Sequence, residues 1–437
     1  MFALLTADSS HPCTTVVPRL VGTTMKTNIT LSNAKVLRDS PATVNLLVQI
    51  TAPPAAPIER APLDIIVVAD RSGSMDGEKL RSVREAIVSL VRQLAPNDRL
   101  GVVVFDGQVD EVIGLGEHNS ADAITKIRAI TSGGSTNLSG GWLKACEILS
   151  EKRRPEAIAR IIVLTDGMAN AGIVEPDAVA TMTSGAAKHG ITTSTIGFGA
   201  GYDEKFIALI ADSGQGNDYF CAGPDQALQV FVEEFKGLAS VVAQNISVVA
   251  AATNEATGVR LLNQQVAECD GHRLTVNIGD VYGSETRSCI IALNLAPQSE
   301  LGLKHIADVT VRYASVIGEI ELHEATFPVE ITVTNDFAEV GADDPRVLEE
   351  VRRLAIEDRR LASIEASLQG DYEASHRLMS MVRDEMEASG ASRQELDAVE
   401  DWLASSGPKS ALSMKAMHSM SRSSTRGRRK RFDPDNP

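Results

Sequence analysis

The chain has 437 residues, 43% hydrophobic and 23% charged, which is ordinary for a globular protein with room for two or three domains. A formal net charge of −16 and an aromatic content of 4% argue against nucleic-acid binding by the body of the protein, which would need a basic surface or stacking rings. No apolar run reaches the roughly 18–20 residues of a transmembrane helix, so the sequence predicts no transmembrane segment.

The five cysteines are widely spaced and form no Cys-x-x-Cys pair. This argues against a zinc cluster or a disulfide framework and favours free thiols in a reducing compartment. The first residues, MFALLTADSSHPC, lack the basic region of a signal peptide. We therefore expect a cytoplasmic protein, with secretion left open, and the start at Met1 or Met25 is left open too.

The N-terminal part of the chain predicts an extension followed by strands. Residues 1–24 are the extension, and residues 25–56 contain short β-prone runs typical of two or three strands. A linker rich in proline and alanine then precedes a change of pattern at residue 62.

Residues 62–240 alternate apolar strands with amphipathic helices. Strands are predicted at 63–70, 99–105, 159–166 and 191–199, and helices at 76–95, 120–130, 138–150, 176–190, 203–213 and 224–237. This alternation predicts an α/β fold with a doubly wound, mostly parallel, Rossmann-like sheet. In such sheets, ligand sites form at the carboxyl ends of the strands.

The remaining segments predict a second domain and a tail. Residues 241–336 read as strands separated by turns, and we expect them to form a β-sandwich-like domain with residues 25–56, into which the α/β domain is inserted. Residues 343–405 predict a helical region, and residues 406–437 a disordered basic tail that could contact an acidic surface.

Hydroxyl and carboxylate side chains gather in three predicted strand-to-helix loops. They are Asp70, Ser72 and Ser74 in the first loop, Thr136 in the second and Asp166 in the third. Such hard oxygen ligands suit Mg²⁺ or Mn²⁺, whereas zinc would recruit histidine or cysteine. Three of the five ligands are neutral, so the ion would stay electrophilic and take a further oxygen from water or from a partner's carboxylate.

Other interpretations of these residues are weaker. The same oxygens could cap helices or bind loop amides. A phosphatase would need a second carboxylate where Ser72 stands, a serine hydrolase would need Gly-x-Ser-x-Gly, and a P-loop would end in Gly-Lys-Ser/Thr. We therefore assign no catalytic residues and expect a protein that is not an enzyme.

The segments DRSGSM, GGSTN and LTDG, in this order, resemble the metal-ion-dependent adhesion site of von Willebrand factor type A domains. The resemblance implies that the five residues above bind Mg²⁺, or Mn²⁺ or Ca²⁺, and that an acidic residue of a protein partner completes the ion's shell. The flanks are similar to inter-alpha-trypsin-inhibitor heavy chains and to plant and bacterial intracellular type A proteins. No RING-like Cys/His cluster is present, so ubiquitin-ligase activity is not implied.

Two alternatives to a metal-dependent interaction module stay open at this point. The domain could be a non-catalytic subunit of an ATPase-driven metal-insertion or remodelling complex, or a structural protein whose metal site is empty. Arg71 stands in the first motif where the family commonly has a small or apolar residue. Its side chain is expected to point to solvent, and the alternative is that its charge beside the metal tunes which acidic ligand is accepted.

Overall fold

The computed structural model of the protein describes residues 25–54, 61–116, 121–199, 201–238, 240–316, 320–391, 393–404, 407–410, 413–415, 417–418 and 421–422. The extension predicted at residues 1–24 and the basic run at residues 426–432 lie outside this part of the chain. Within it, no helix is long and apolar enough to cross a lipid bilayer.

Three strands open the described chain, and an α/β unit with a six-stranded sheet follows them. The first three strands are β1 (Lys26–Leu31), β2 (Lys35–Leu37) and β3 (Ala42–Thr51). The sheet of the α/β unit comprises β4 (Leu63–Asp70), β5 (Arg99–Phe105), β6 (Val109–Gly116), β7 (Ile158–Thr165), β8 (Ile191–Phe198) and β9 (Gln215–Cys221). Its strand order is β6-β5-β4-β7-β8-β9, and every neighbouring pair is parallel except β5 with β6. The predicted α/β fold is confirmed.

Helices cover both faces of this sheet. They are α1 (Glu78–Gln93), α2 (Ala121–Arg128), α3 (Leu138–Lys152), α4 (Pro176–Lys188), α5 (Glu204–Ser213) and α6 (Pro224–Leu238). Alternate residues of β4 face opposite layers: Ile65 packs with α1, α2 and α6, whereas Ile66 packs with α3, α4 and α5. Each residue of β4 is buried, which explains the continuous apolar run of this strand.

Seven strands after the α/β unit complete a second domain of two sheets. They are β10 (Val241–Ala252), β11 (Ala256–Leu261), β12 (Ala267–Cys269), β13 (Arg273–Tyr282), β14 (Thr286–Leu295), β15 (Gly302–Ser315) and β16 (Glu321–Thr334). The sheets have the orders β1-β3-β14-β11 and β12-β13-β10-β15-β16-β2. Because β3 pairs with β14 and β2 with β16, strands from both flanks of the α/β unit build one β-domain around a shared core.

The helical region follows as α7 (Phe337–Val340), α8 (Pro345–Leu368), α9 (Tyr372–Ala388) and α10 (Arg393–Leu403). Asp344 caps α8 by accepting a hydrogen bond from Arg346 N, and Pro345 occupies its first turn. Val347 and Leu354 of this helix are buried against Leu47 and Ile290 of the four-stranded sheet. Helix α8 therefore packs on the outer face of this sheet, and α9 and α10 share a separate apolar cluster with α8.

Part of the predicted C-terminal tail packs on the α/β domain. The Lys415 ammonium contacts the Tyr202 carbonyl, lies 3.9 Å from the centre of the Tyr202 ring and pairs with Glu204 at 2.7 Å. Arg422 pairs with Asp212 and, at 3.5 Å, with Asp218. Within the described residues of the tail, which end at 422, these ion pairs hold the chain against acidic side chains of the α/β domain. The sequence predicts disorder for this segment.

Candidate metal centre

The five predicted site residues meet at one edge of the parallel sheet. Asp70 is the last residue of β4 and Asp166 directly follows β7, while Ser72, Ser74 and Thr136 lie in the turns that lead into α1 and α3. Strands β4 and β7 are neighbours, and β5 lies on the other side of β4. The strands that follow β4 in the sequence thus lie on both sides of it, β5 on one side and β7 on the other. Such a position is a topological switch point, where ligands bind in open α/β sheets.

Asp70 is held rigidly at the base of the site. Its Oδ1 accepts a 2.7 Å hydrogen bond from Ser72 N, and its Oδ2 accepts a 2.6 Å hydrogen bond from the Thr165 hydroxyl. Burial raises the pKa of Asp70, and the charge of Asp166 adds to this rise, although the hydrogen bonds from Thr165 and Ser72 oppose it. A cation bound beside these two carboxylates would offset both effects.

The two serine hydroxyls form a chain that ends on Asp166. Ser72 Oγ lies 3.1 Å from Ser74 Oγ, and Ser74 Oγ donates a 2.7 Å hydrogen bond to Asp166 Oδ1. The second carboxylate oxygen of Asp166 contacts the ammonium of Lys79, which also donates to the Ser74 carbonyl at 3.2 Å. The first and third loops are therefore joined through polar atoms of the site itself.

Thr136 reaches the same place from the second loop. Its backbone N–H donates to Asn170 Oδ1 at 2.9 Å, and its carbonyl accepts from Asn170 N at 3.1 Å. A Cβ built on Gly167 would lie 3.5 Å from both Ser74 Oγ and Thr136 Oγ1. The two hydroxyls thus converge over Gly167, and the structure brings all five predicted residues together.

Arg71 does not point freely to solvent. Its guanidinium is 3.3 Å from Asp106 Oδ2 and 2.5 Å from Asp110 Oδ2, and only 18% of its side chain is exposed. Asp106 also accepts from Gly134 N at 3.3 Å, while Gly133 N donates to the Arg71 carbonyl at 2.7 Å. Burial alone would raise the pKa of Asp106, but hydrogen bonds from the backbone N–H groups of Gln108 and Gly134, together with the Arg71 charge, outweigh burial and lower that pKa. Arg71 and Asp106 therefore link the first loop of the site to Gly133 and Gly134 of the second loop.

Three residues around the site were not predicted: Thr165, Lys79 and Asp106. Asp106 had a signal in the sequence, because it ends the apolar run of β5 as Asp70 ends that of β4. Thr165 is a polar residue at the end of the β7 run. Lys79 shows no pattern of its own, and its contact depends on how α1 begins after Gly77.

The donor set fits a hard divalent cation. It consists of two buried carboxylates and three hydroxyls, with no imidazole or thiolate among them. Within the described residues, no three or more His, Cys, Asp or Glu side chains are grouped so that they could hold a metal ion. In that part of the chain, the set of carboxylates and hydroxyls therefore has no competing metal site of that kind. The oxygen ligands favour Mg²⁺, Mn²⁺ or Ca²⁺ over zinc.

The order of these loops around a parallel sheet matches a known family. The model of the von Willebrand factor type A domain family matches residues 64–234. These residues form a type A domain. Domains of this family are often metal-dependent modules of protein–protein interaction.

Type A proteins of known sequence resemble longer parts of the chain. The protein sll0103 of Synechocystis sp. is 28% identical over 68% of this chain and 72% of its own length. Inter-alpha-trypsin inhibitor heavy chain H3 of Pongo abelii is 28% identical over 52% of this chain and 27% of its own length. The E3 ubiquitin-protein ligase WAV3 of Arabidopsis thaliana is 25% identical over 55% and 32%, respectively. The chain thus spans about a third or less of the last two, and the predicted resemblance is confirmed.

Two solved structures share the fold of the type A domain together with its flanks. The von Willebrand factor type A protein from Catenulispora acidiphila has a TM-score of 0.74 at 19% identity and covers 93% of this chain and 97% of its own. The ArnB paralog VWA2 from Sulfolobus acidocaldarius has a TM-score of 0.66 at 18% identity and covers 92% and 99%. Both structures therefore share the fold over most of this chain.

Proposed function

We propose that this chain is a divalent-cation-dependent protein–protein interaction module. Mg²⁺, with Mn²⁺ or Ca²⁺ as substitutes, binds at Asp70, Ser72, Ser74, Thr136 and Asp166. The observation that supports this most strongly is the convergence of two buried carboxylates and three hydroxyls at the switch point of the sheet.

The charge balance of the site suits recognition of an acidic partner. Two carboxylates can neutralise a divalent ion, and the hydroxyls of Ser72, Ser74 and Thr136 add no negative charge. Mg²⁺ prefers six oxygen ligands, so the shell has room for a further oxygen. When bound, the ion supplies an electrostatic attraction for a carboxylate, and an exposed Asp or Glu of a protein partner would fill that position.

The surface beside the site suits a protein rather than a small ion as the binding partner. The loop after Asp166 exposes the apolar side chains of Met168, Ile173 and Val174, at 60%, 38% and 40%. The same loop is tied to Thr136 by the hydrogen bonds of Asn170. Apolar surface next to a charged anchor is typical of protein interfaces.

Hydrogen bonds orient the Asp70 carboxylate for a role in ion binding. Both of its oxygens accept hydrogen bonds from groups of the protein itself, Ser72 N and the Thr165 hydroxyl. Each carboxylate oxygen keeps a further lone pair, so it can accept such a bond and also contact an ion. The arrangement therefore fixes the carboxylate within the loop, as for a residue that helps to hold an ion.

A calorimetric Mg²⁺ titration of the full chain tests the metal part of the proposal. Thr136→Ala removes one site hydroxyl, and Ser132→Ala removes a hydroxyl of the same loop that bonds to Asp76 outside the site. We expect Thr136→Ala to weaken Mg²⁺ binding at least about tenfold, the loss typical even of residues that only orient a ligand. Ser132→Ala should bind as the wild type does. Equal binding by all three proteins would contradict the proposal.

Affinity capture then tests the partner. The wild-type chain is used as bait in Mg²⁺ and in EDTA, beside the Thr136→Ala and Ser132→Ala chains. We expect proteins that bind in Mg²⁺ to be lost in EDTA and with Thr136→Ala, but kept with Ser132→Ala. If the same proteins bind under all four conditions, recognition does not run through the ion.

A further inference from the structure

Lys79 places a positive charge inside the candidate metal centre. Its ammonium contacts Asp166 Oδ2 and donates to the Ser74 carbonyl at 3.2 Å. The Asp166 side chain is fully buried, whereas 37% of the Lys79 side chain is exposed. Lys79 is the second residue of α1, and its side chain spans from the first loop to the third. A charge of the protein thus neutralises a carboxylate of the site.

A buried carboxylate needs such a partner. An ionised Asp166 without a neighbouring cation would be strongly unfavourable, because burial removes its hydration. Arg71, a second cation of the first loop, is engaged by Asp106 and Asp110. Lys79 is therefore the group that balances the charge of Asp166 in the metal-free protein.

We propose that Lys79 is a tethered cation that holds the site when the divalent ion is absent and competes with that ion for Asp166. The proposal rests on the metal-dependent function described above. Ser74 Oγ donates to one oxygen of Asp166 at 2.7 Å, and the Lys79 ammonium contacts the other oxygen, so an ion held by Ser74 and Asp166 would lie beside the lysine charge. Two neighbouring positive charges repel each other, so ion binding favours movement of the lysine away from Asp166.

The Lys79 side chain can leave Asp166 easily, and its new position affects the binding of a partner. The side chain is long, flexible and partly exposed, so it can turn outward to the rim of the site. There its charge would face an acidic partner. The charge of Lys79 thus weakens Mg²⁺ binding when no partner is present. When a partner carboxylate is bound to the ion, the same charge attracts that carboxylate and stabilises the complex.

Calorimetric Mg²⁺ titrations of four full-length proteins test this competition. Lys79→Gln removes the charge, Lys79→Arg keeps it, and Arg81→Gln removes a charge on the same helix that pairs with the exposed Glu78. We expect Lys79→Gln to bind Mg²⁺ about tenfold more tightly than the wild type. Lys79→Arg should stay within about twofold of the wild type because it keeps the positive charge, and Arg81→Gln should do so because an exposed charge outside the site is screened.

Thermal unfolding provides a second test. Its expected result would not be explained if Lys79 had only a structural role. In EDTA, Lys79→Gln should melt at a lower temperature than the wild type, because Asp166 loses its cation. Saturating Mg²⁺ should remove this difference, while Arg81→Gln should melt as the wild type does in both buffers. Unchanged or weaker Mg²⁺ binding by Lys79→Gln would overturn the competition. Absence of Mg²⁺ binding by every protein would instead overturn the proposed function itself.

Discussion

The hydroxyl of Thr165 donates a 2.6 Å hydrogen bond to Oδ2 of Asp70 and so joins the ends of two adjacent strands, β4 and β7. Asp70 is fully buried, and its other oxygen accepts from Ser72 N at 2.7 Å. The carboxylate therefore cannot rotate without breaking one of these bonds. The first loop of the candidate metal centre depends on a residue that lies outside the ligand set.

Thr165→Val should impair both stability and metal binding. The substitution keeps the volume but removes the hydroxyl donor to a buried carboxylate. We expect the free energy of unfolding in EDTA to fall by about 1–3 kcal/mol. Mg²⁺ affinity should fall about tenfold, as for other residues that orient a ligand. Urea denaturation and calorimetry measure the two effects.

Thr195→Val is the matched control for this prediction. The Thr195 hydroxyl is also buried and donates to the Ile207 carbonyl at 3.0 Å, away from the site. Its loss should lower stability but leave Mg²⁺ affinity unchanged. Equal weakening of Mg²⁺ binding by the two variants would show that Thr165 has no special relation to the site.

Two adjacent glycines of the second loop should respond differently to alanine. A Cβ on Gly133 would lie 1.7 Å from Asp106 Oδ2, whereas a Cβ on Gly134 meets no atom within 4 Å. Gly133→Ala therefore has to displace the Asp106 carboxylate from Arg71. We expect a loss of about 1–3 kcal/mol in the free energy of unfolding, together with weaker Mg²⁺ binding.

Gly134→Ala should be neutral or slightly stabilising, because it adds no clash and restricts the unfolded chain. Thermal melts of the two variants, each with and without Mg²⁺, compare them directly. If both alanines behave alike, the Asp106 link between the loops does not support the site.

A buried ion pair joins the type A domain to the β-domain. Arg160 of β7 pairs with Asp280 of β13 at 2.5 Å, and both side chains are almost fully buried. Burial raises the pKa of Asp280 even though the Arg160 charge opposes the rise. Arg160→Met leaves this carboxyl without its cation, so we expect a loss of about 3–5 kcal/mol in the free energy of unfolding.

Arg128→Met provides the comparison in urea denaturation. Arg128 pairs with Glu85 at 3.1 Å, and both side chains are half exposed. Its removal should cost at most about 1 kcal/mol, since water screens the pair. Similar losses for the two variants would mean that the Arg160 pair does not hold the domains together.

The described cysteines should differ sharply in reactivity. Burial raises the pKa of the Cys221 and Cys289 thiols to about 12, whereas Cys269 is exposed. At pH 8 only about one in ten thousand of the buried thiols is ionised, and the fraction grows as pH rises. Iodoacetamide labelling read by peptide mass spectrometry should therefore modify Cys269 and spare the buried Cys221 and Cys289. Rapid labelling of Cys221 or Cys289 in the folded protein would contradict their burial.

Much of the α/β fold could be predicted because its strands are continuous apolar runs. The runs that end at Asp70 and Asp166 predicted β4 and β7, and the rule for parallel sheets placed both acids at one edge. The two edge strands, β6 and β9, were not predicted. The sequence of β6, VDEVIGLG, exposes two adjacent acids and pairs antiparallel with β5, so neither a buried run nor a regular alternation marks it.

The proposed ligand residues could be identified from motifs, but the residues that contact and orient them could not. Thr165, Lys79 and Asp106 act through contacts between loops that lie 28 to 95 residues apart in the chain. Such contacts depend on how the strands are ordered in the sheet, which the pattern of apolar residues does not specify. The same holds for Lys415 and Arg422, whose partners lie on a domain more than 200 residues earlier.

Manganese binding in a crystal tests the central claim most directly, because Mn²⁺ replaces Mg²⁺ and gives an anomalous signal. We predict one anomalous peak at the carboxyl edge of β4 and β7, about 2.1 Å from the hydroxyl oxygens of Ser72, Ser74 and Thr136. Thr136→Ala crystals in the same Mn²⁺ solution should show a weaker peak. A saturated wild-type crystal without a peak at this edge, or with its peak elsewhere, would contradict the account.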